Sequence, residues 1–332
     1  KDFQPDLVYF WSQRGIGLTP IFAAEDAAVP RVFEMGDIWP SSYIKPGLKA
    51  ALKRGLKFCL PGFYQRPLRL SHVISVSHWM ARELTARFHV GDLTVIPNGT
   101  ALPESLETPL PATVAYAPNR ALFAGRLDPE KGLHLALSAV RNLRQAGYDV
   151  TLDIAGTGDA AYIARCQQFV AEHQLEQAVR FLGWQDMAQF YPRYQVMLMP
   201  TCMREPFGLV LIEAMMHGLN VIAPDAYGPA EILTDGVTGW LFATGSASEQ
   251  VQRMQEIWLH LMENPETVRR VSLRARHQAR SRYVLSQVKS EVLQVLQQVV
   301  ERARITSGSE RQVKQNRKQN TERRNAHVSH LI

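Results

Sequence analysis

Short apolar runs rich in Val, Ile and Leu alternate with longer segments of helical period along most of the chain. Such runs predict buried parallel strands, and the longer segments predict helices that cover both faces of a sheet. In the first part of the chain we predict strands at Leu7–Trp11, Arg31–Glu34, His72–Val76 and Leu93–Ile96. Helices are predicted near Leu18–Ala27, Gly47–Leu60 and His78–Phe88.

Residues 103–118 contain four prolines and show no period, which predicts a linker. A region with a purely helical pattern starts at Ser248 and ends near Ala303. The polar residues from Thr306 onward predict disorder. The strands predicted between the linker and Ser248 are Ala121–Gly125, Val150–Ala155, Val179–Leu182, Val196–Met199, Asn220–Ala223 and Gly239–Phe242.

The fold class is therefore α/β, with two Rossmann-like domains. We place the N-terminal domain at residues 1–110, the C-terminal domain with its terminal helices at 111–305, and a disordered basic tail at 306–332. The chain enters a buried-strand run at Leu7, soon after Lys1, without a signal peptide before it. We therefore expect the N-terminal domain to be incomplete.

Composition is consistent with this division. The chain has 332 residues, 46% of them hydrophobic and 20% charged, as in globular proteins, and ~100–200 residues per domain predicts two domains. No apolar run reaches the ~18 residues that a membrane-spanning helix needs. Three cysteines without a Cys-x-x-Cys pair argue against a disulfide framework and for a reducing compartment, so we expect a cytoplasmic protein.

The net charge of +6 raises the question of a nucleic-acid partner. Residues 306–332 contain six basic side chains and two acidic ones. The rest of the chain is then nearly neutral, and we predict no nucleic-acid binding.

One segment joins two glutamates to a glycine at the start of a predicted helix. It reads Glu205-Pro206-Phe207-Gly208-Leu209-Val210-Leu211-Ile212-Glu213-Ala214-Met215. The N–H groups of Gly208 and Leu209 at such a helix start can bind a phosphate. Glu205 is suited to accept hydrogen bonds from a sugar, and Glu213 from a ribose. The alternative is an early acidic residue that favours the helix dipole, with Glu213 on a solvated face.

A second segment, Gly125-Arg126-Leu127-Asp128-Pro129-Glu130-Lys131-Gly132, joins a predicted strand to the next helix. Ligands of open α/β sheets bind at that end of the strands. Arg126 and Lys131 could neutralise a diphosphate leaving group there, in place of a metal, and the chain has no Asp-x-Asp pair for Mg²⁺ or Mn²⁺. The alternative is a pair of exposed charges at a helix start.

Gly125-Arg126-x₄-Lys131-Gly132 followed by Glu205-x₇-Glu213 resembles the family 4 glycosyltransferases of the GT-B fold. The resemblance covers roughly residues 5–290. Further matching segments are Val95–Gly99, Ile154–Asp159, Val179–Gly183 and Glu231–Gly239.

The resemblance implies two facing Rossmann-like domains and a retaining transfer of sugar from a nucleoside-diphosphate donor, UDP or GDP, to a hydroxyl of a glycan, a lipid-linked sugar or a small molecule. It implies no metal and no cofactor, and a mechanism in which the leaving phosphate helps to deprotonate the acceptor. The implied catalytic residues are Arg126, Lys131 and Glu205, and the implied donor-binding residues are Glu213, Gly208, Leu209, Phe207, Leu182 and Gly183.

Two other functions remain open: a non-catalytic fragment that binds sugar nucleotides, and a GT-B epimerase. The family normally begins with a Gly-rich loop after its first strand, and Lys1 lies beyond that point. Glycine also stands at position 36, where many relatives carry a histidine. Asp37 follows it at the end of a predicted strand and is our candidate for acceptor-side contacts, with a turn cap as the alternative.

Lys45, Lys49, Lys53 and Lys57 recur every four positions in a stretch without acidic residues. They form one basic stripe on a predicted helix, and a basic amphipathic helix can rest on anionic lipid. We predict peripheral membrane contact through this stripe, against the alternative of a solvated helix that covers the sheet.

Overall fold

The computed structural model describes residues 4–12, 16–42, 67–101 and 117–306. These residues form two compact units, each built on a parallel sheet. Unit 1 takes its described residues from Lys1–Ser75, Glu83–Val95 and Ser290–Ile332, and unit 2 takes them from Val76–Arg82 and Ile96–Lys289. The predicted bound at residue 110 lies outside the described residues, and the predicted domain bounds stay predictions.

Unit 1 contains a four-stranded sheet in the order β1-β2-β3-β4, with every neighbouring pair parallel. The core includes the central strands, in which Val32, Phe33, Met35, Leu70, Val73 and Ile74 are almost fully buried. The elements are β1 Val8–Trp11, α1 Thr19–Asp26, β2 Arg31–Met35, β3 Arg69–Ser75, α2 His78–Arg87 and β4 His89–Val95, with a 3₁₀ turn at Trp39–Ser42.

Unit 2 contains six parallel strands. Its elements are β5 Arg120–Ala124, α3 Leu133–Gln145, β6 Thr151–Ala155, α4 Ala160–Glu172, β7 Val179–Gly183, α5 Met187–Phe190, β8 Val196–Leu198, α6 Leu209–Met216, β9 Asn220–Pro224, α7 Tyr227–Ile232, β10 Trp240–Phe242, α8 Ala247–Glu263 and α9 Pro265–Arg282. Two 3₁₀ turns, Pro129–Lys131 and Tyr191–Arg193, lie between these elements, and a last helix, α10, spans residues 285–306.

One hydrophobic cluster of unit 2 lies between one face of this sheet and helices α3, α4, α8 and α9. Helix α3 packs there because its apolar residues recur at helical spacing, and Leu133, Leu137 and Val140 are completely buried. Helix α8 begins at a capping box in which Ser246 and Glu249 satisfy each other's backbone N–H groups.

The strand order of unit 2 is β10-β9-β8-β5-β6-β7. From β5 the chain builds outward through β6 and β7, and then crosses back to β8, which pairs with the other side of β5. The order therefore reverses between β5 and β8. In open α/β sheets a crevice forms at the carboxyl ends of the two strands at such a reversal, and ligands bind in it.

The predicted α/β class with parallel sheets is confirmed, and most predicted strands agree with the observed ones to within two residues. The largest differences are in β3 and β4, which begin at Arg69 and His89, earlier than predicted. Their first residues, Arg69-Leu70-Ser71 and His89-Val90-Gly91-Asp92, mix polar and apolar side chains and so lack an apolar run. The predicted helix Gly47–Leu60, the lysine stripe, residues 103–116 of the linker and the tail beyond Thr306 lie outside the described residues.

Among the helices that the structure describes, none is both long enough and apolar enough to cross a membrane.

Candidate active site

Two loops of unit 2 meet at the reversal of strand order. The first leaves the carboxyl end of β5 and runs to Gly132, and the second leaves β8 and runs to Gly208. Since β5 and β8 are paired neighbours, their following loops lie side by side. The two predicted motifs lie on these loops, and the fold brings them together.

The loop after β5 is shaped by Asp128. This aspartate caps the 3₁₀ turn Pro129–Lys131, where its Oδ1 accepts a hydrogen bond from the Lys131 N–H at 3.1 Å. Its other oxygen accepts a hydrogen bond from Arg126 Nε. Arg126 is 61% exposed and lies 3.8 Å from Glu130 through Nη2. Its guanidinium is therefore accessible and is held by carboxylates of its own loop.

Gly132 lets the two loops approach each other. Its backbone is left-handed, and a Cβ atom at this position would lie 1.8 Å from the carbonyl oxygen of Pro200. Two further contacts tie the loops together at the Glu130 carbonyl, which accepts from the Cys202 N–H at 2.8 Å and from the Thr201 hydroxyl at 3.2 Å. A side chain at position 132 would force these loops apart.

Lys131 and Glu205 form an ion pair across the two loops. Lys131 Nζ donates to Glu205 Oε2 at 2.5 Å. The two side chains are 25% and 11% exposed, so water screens this pair less than it would screen a surface pair. The cation and one of the carboxylates that we predicted for separate tasks are thus direct neighbours.

A third loop, after β6, supports the loop after β5 through close backbone contacts. Gly156 donates its N–H to the Gly183 carbonyl at 2.7 Å, and a Cβ atom on Gly156 would lie 1.8 Å from the Gly125 carbonyl oxygen. A Cβ atom on Gly158 would lie 2.2 Å from the Leu127 carbonyl oxygen. Glycine is required at both positions for backbone packing.

Helix α6 begins at the second loop, next to Glu205. Gly208 is its N-cap residue with left-handed backbone, and no side chain caps this helix end. Leu209, the first helical residue, is exposed, whereas most of the remaining helix is buried. The first N–H groups of α6 therefore have no side-chain acceptor, and such a helix start favours an anion.

Phe207 has a buried side chain that packs edge-to-face on Tyr283, with ring centroids 5.8 Å apart. Phe207 was predicted to contact the donor. Its ring belongs to the core, and a contact with a ligand would use its backbone.

Glu213 lies in the second turn of α6 and is partly buried. The Tyr191 hydroxyl donates to its Oε2 at 3.0 Å. Burial raises the pKa of the Glu213 carboxyl, and the hydrogen bond from Tyr191 acts in the opposite direction. Glu213 is therefore partly buried and hydrogen-bonded, and it does not lie on a solvated face of the helix.

Leu182 and Gly183 end β7, on the far side of β6 from β5. Gln185 donates from Nε2 to the Leu182 carbonyl at 2.6 Å, which fixes this strand end. Asp37 follows β2 in unit 1 and is partly buried. The predicted ligand contacts of all three residues stay predictions.

Sequence reasoning missed two residues of the site. Asp128 had a local signal, because an aspartate directly before a proline is typical of a helix start. Tyr191 had none: it lies in a 3₁₀ turn 22 residues before its partner Glu213, and only the tertiary fold joins them.

Within the described ranges, no group of three or more His, Cys, Asp or Glu side chains is placed to hold a metal ion.

Comparison with known proteins finds similarity to glycosyltransferases. Residues 114–278 match the family described as Glycosyl transferases group 1. Among curated proteins, the phosphatidyl-myo-inositol mannosyltransferase of Mycobacterium leprae is 30% identical over 258 residues, which are 75% of this chain and 65% of that protein. The chain thus spans just under two thirds of the length of this relative.

Solved structures show the same fold. Alr3699/HepE of Anabaena in complex with UDP-glucose has a TM-score of 0.68 and 24% identity, and the match covers 88% of this chain and 79% of that one. The pneumococcal O-GlcNAc transferase GtfA in complex with UDP and GlcNAc has a TM-score of 0.67 and 20% identity, with coverage of 89% and 57%.

Proposed function

Since residues 114–278 match the family described as Glycosyl transferases group 1, we propose that this protein transfers a sugar from a nucleoside-diphosphate donor to a hydroxyl acceptor. We propose further that the transfer retains the anomeric configuration and needs no metal. The observation that carries the proposal is the meeting of Lys131 and Glu205 at the strand reversal of unit 2, beside the N-terminus of α6, which no side chain caps.

The donor diphosphate would bind to cations and N–H groups of these loops. Arg126 and Lys131 would neutralise its charge, with the N–H groups of Gly208 and Leu209 as further donors. Both cations are held by carboxylates of the two loops, Arg126 by Asp128 and Lys131 by Glu205. A diphosphate would compete for these contacts, and its higher charge density favours the exchange.

The glutamates would bind the hydroxyl groups of the donor. Glu205 accepts hydrogen bonds from the transferred sugar, and Glu213 accepts them from the ribose. The strand end at Leu182 and Gly183 lies at the edge of the nucleobase. Asp37, at the end of β2 in unit 1, is proposed for acceptor contacts.

The reaction follows from this distribution of charge. The bond between the anomeric carbon and the leaving phosphate oxygen breaks, and the acceptor oxygen bonds to that carbon on the same face. The acceptor proton passes to an oxygen of the leaving phosphate. Negative charge develops on the diphosphate, so fixed cations and helix N–H groups stabilise the transition state more than the ground state. Two cations supply the electrostatic role that a divalent metal has in other transferases.

The mechanism can be tested by proton NMR of the chain incubated with UDP-glucose, UDP-N-acetylglucosamine or GDP-mannose, in EDTA, with a panel of hydroxyl acceptors. We expect one donor to yield a product or free sugar whose first anomer has the configuration of the donor. Lys131→Ala should abolish this turnover. An inverted anomer, or turnover that requires added Mg²⁺, would contradict the proposal. An epimerised donor would identify an epimerase, and donor binding without any sugar release would identify a non-catalytic binder.

A further inference from the structure

Tyr191 has a completely buried side chain, and its hydroxyl forms a hydrogen bond with Glu213 of the candidate site. It is 1% exposed and lies in the 3₁₀ turn Tyr191–Arg193, just before β8. Its hydroxyl donates to Glu213 Oε2 at 3.0 Å. The hydrogen bond joins the turn that precedes β8 in the chain to the helix that follows it, so it holds Glu213 to a fully buried side chain.

The Tyr191 hydroxyl remains a donor at every physiological pH. Burial raises the pKa of Tyr191 well above its ordinary value, and the neighbouring Glu213 carboxylate raises it further. A protonated phenol next to a carboxylate can only donate to it. Since a carboxylate offers roughly four acceptor positions, one bond from Tyr191 leaves capacity for hydroxyls of a ligand.

His217 holds the Tyr191 ring and the Glu213 backbone from the next turn of the helix. Its ring lies 5.0 Å from the ring of Tyr191, and its Nδ1 lies 2.9 Å from the Glu213 carbonyl oxygen. Burial is the main cause that lowers the pKa of His217; the hydrogen bond with the Glu213 carbonyl acts in the opposite direction, and Arg276 and Arg280 lower the pKa further. The histidine is therefore neutral at pH 7 and donates from Nδ1 to the carbonyl.

We infer that Tyr191 is the positioning residue for ribose recognition: it holds the Glu213 carboxylate in the orientation that accepts hydrogen bonds from vicinal ribose hydroxyls. The inference rests on the proposed function, because Glu213 binds a ribose only if the donor is a nucleotide sugar. A carboxylate that binds two neighbouring hydroxyls must keep its plane fixed. A site built for hydroxyls also discriminates against ligands that lack them, since its polar groups then stay unpaired.

Tyr194 provides a matched control in the same unit. It is also buried, and its hydroxyl also donates to a carboxylate, Asp153 Oδ2, at 2.6 Å. Asp153 is held in addition by Arg120 and Arg180 and lies in β6, away from α6. Tyr194→Phe therefore removes a buried tyrosine–carboxylate bond without touching Glu213.

The experiment is calorimetric titration of wild type, Tyr191→Phe and Tyr194→Phe with UDP and with 2′,3′-dideoxy-UDP. We expect wild type to bind UDP about tenfold or more tightly than the dideoxy nucleotide, and Tyr191→Phe to bind the two with nearly equal affinity. Affinity for dideoxy-UDP should be the same in both proteins. Tyr194→Phe should keep the wild-type ratio. Glu213→Gln, which changes the other partner of the same bond, should also reduce the ratio.

Three results would overturn the inference. If Tyr191→Phe weakens both nucleotides equally, the tyrosine has a structural role only. If it changes neither, the hydrogen bond does not position Glu213 for a ligand. If wild type binds UDP and dideoxy-UDP equally well, Glu213 does not recognise ribose, although the nucleotide site itself stands. A wild-type chain that binds no nucleoside diphosphate would instead contradict the proposed function.

Discussion

Lys131 and Glu205 are 74 residues apart in the chain, and their side-chain atoms meet at 2.5 Å. Each follows a different strand, and only the pairing of β5 with β8 makes them neighbours. Glu205 is largely shielded from water, so its carboxylate depends on Lys131 for a charged partner. The pair therefore contributes to stability as well as to the proposed donor site.

Lys131→Ala should lower the free energy of unfolding by about 1–3 kcal/mol, because it leaves the Glu205 carboxylate mostly buried without its partner. Adding Glu205→Gln to that variant should recover part of the loss. Urea unfolding measures both. Arg253→Ala is the control, since Arg253 and Glu256 form an exposed pair worth about 0.2–1 kcal/mol. A loss in Lys131→Ala no larger than in the control would refute the dependence of Glu205 on Lys131.

His217 makes stability sensitive to acid. Its pKa is lowered in the folded protein, chiefly by burial, whereas a histidine in the unfolded chain titrates near pH ~6.5. Below about pH 6.5 the unfolded chain therefore binds a proton that the folded protein excludes, and stability falls as pH falls.

Urea midpoints at about pH 7.5 and about pH 5.5 should show a smaller acid-induced loss in His217→Asn than in wild type. The asparagine amide can keep the donor to the Glu213 carbonyl while removing the titration. His89, an exposed histidine of β4, supplies the control variant His89→Asn, which should behave as wild type. An equal loss in His217→Asn and wild type would exclude His217 as the source.

Motif spacing located Arg126, Lys131, Glu205 and Glu213 without the structure, because each lies on one local strand–loop–helix segment. It could not show that Lys131 pairs with Glu205 or that Tyr191 pairs with Glu213, since both contacts depend on how separate strands are ordered in the sheet.

At the scale of elements, the site depends on backbone approach between loops. The loops after β5, β6 and β8 are joined at Gly156 and Gly132, where a Cβ atom would collide with a carbonyl oxygen of the neighbouring loop. A glycine in a sequence signals a turn, but the identity of the approaching backbone comes only from the tertiary structure.

Gly132→Ala should destabilise unit 2 and weaken nucleotide binding together, because the new methyl group would lie 1.8 Å from the Pro200 carbonyl oxygen. Gly147→Ala is the control, and the difference between the two variants measures the effect of the steric clash. Gly147 also has a positive φ, but no neighbouring atom lies within 4 Å of the place that an alanine methyl group would take, so only backbone strain of about 1–2 kcal/mol is expected there. Thermal unfolding and UDP titration of the two variants should therefore diverge. Identical behaviour would mean that the loops are not held by this contact.

Strand β9 was predicted well and strand β4 poorly, and the two strands differ in burial. The five residues of β9 are all buried, and its predicted and observed starts coincide at Asn220. Strand β4 alternates exposed and partly buried residues, and only its last, more apolar residues were predicted. An edge strand of this kind has no continuous apolar run to identify it.

At the scale of the molecule, the chain forms two compact units and crosses between them more than once along its length. Helix α2 begins in unit 2, where Glu231 accepts the N–H groups of His78 and Trp79 at 2.7 and 2.5 Å, and its last residues belong to unit 1. The end of α10 belongs to unit 1, in which Arg302 Nη1 donates a hydrogen bond to Asp92 Oδ2 at 3.0 Å. Helical periodicity predicts a helix but not the unit to which it belongs.

The fold class followed from alternation of strands and helices, and the resemblance to glycosyltransferases followed from two motifs in order, in a region that matches the family described as Glycosyl transferases group 1. Membrane contact through Lys45, Lys49, Lys53 and Lys57 stays a prediction, because that stripe lies outside the described residues. Backbone contacts such as those expected at Gly183 do not distinguish one base from another. Binding experiments with different nucleotides and acceptors identify the base, the sugar and the acceptor.

The most direct test is calorimetric titration of the chain with UDP, GDP and ADP in the presence of EDTA, for wild type, Arg126→Ala and Arg144→Ala. Arg144 pairs with Asp149 on the surface, as Arg126 pairs with Asp128, but it lies at the far end of α3. We predict that one nucleotide binds wild type without metal, that Arg126→Ala weakens it about 10- to 100-fold, and that Arg144→Ala does not. Absence of binding by all three nucleotides, or full affinity in Arg126→Ala, would contradict a diphosphate site at the strand reversal.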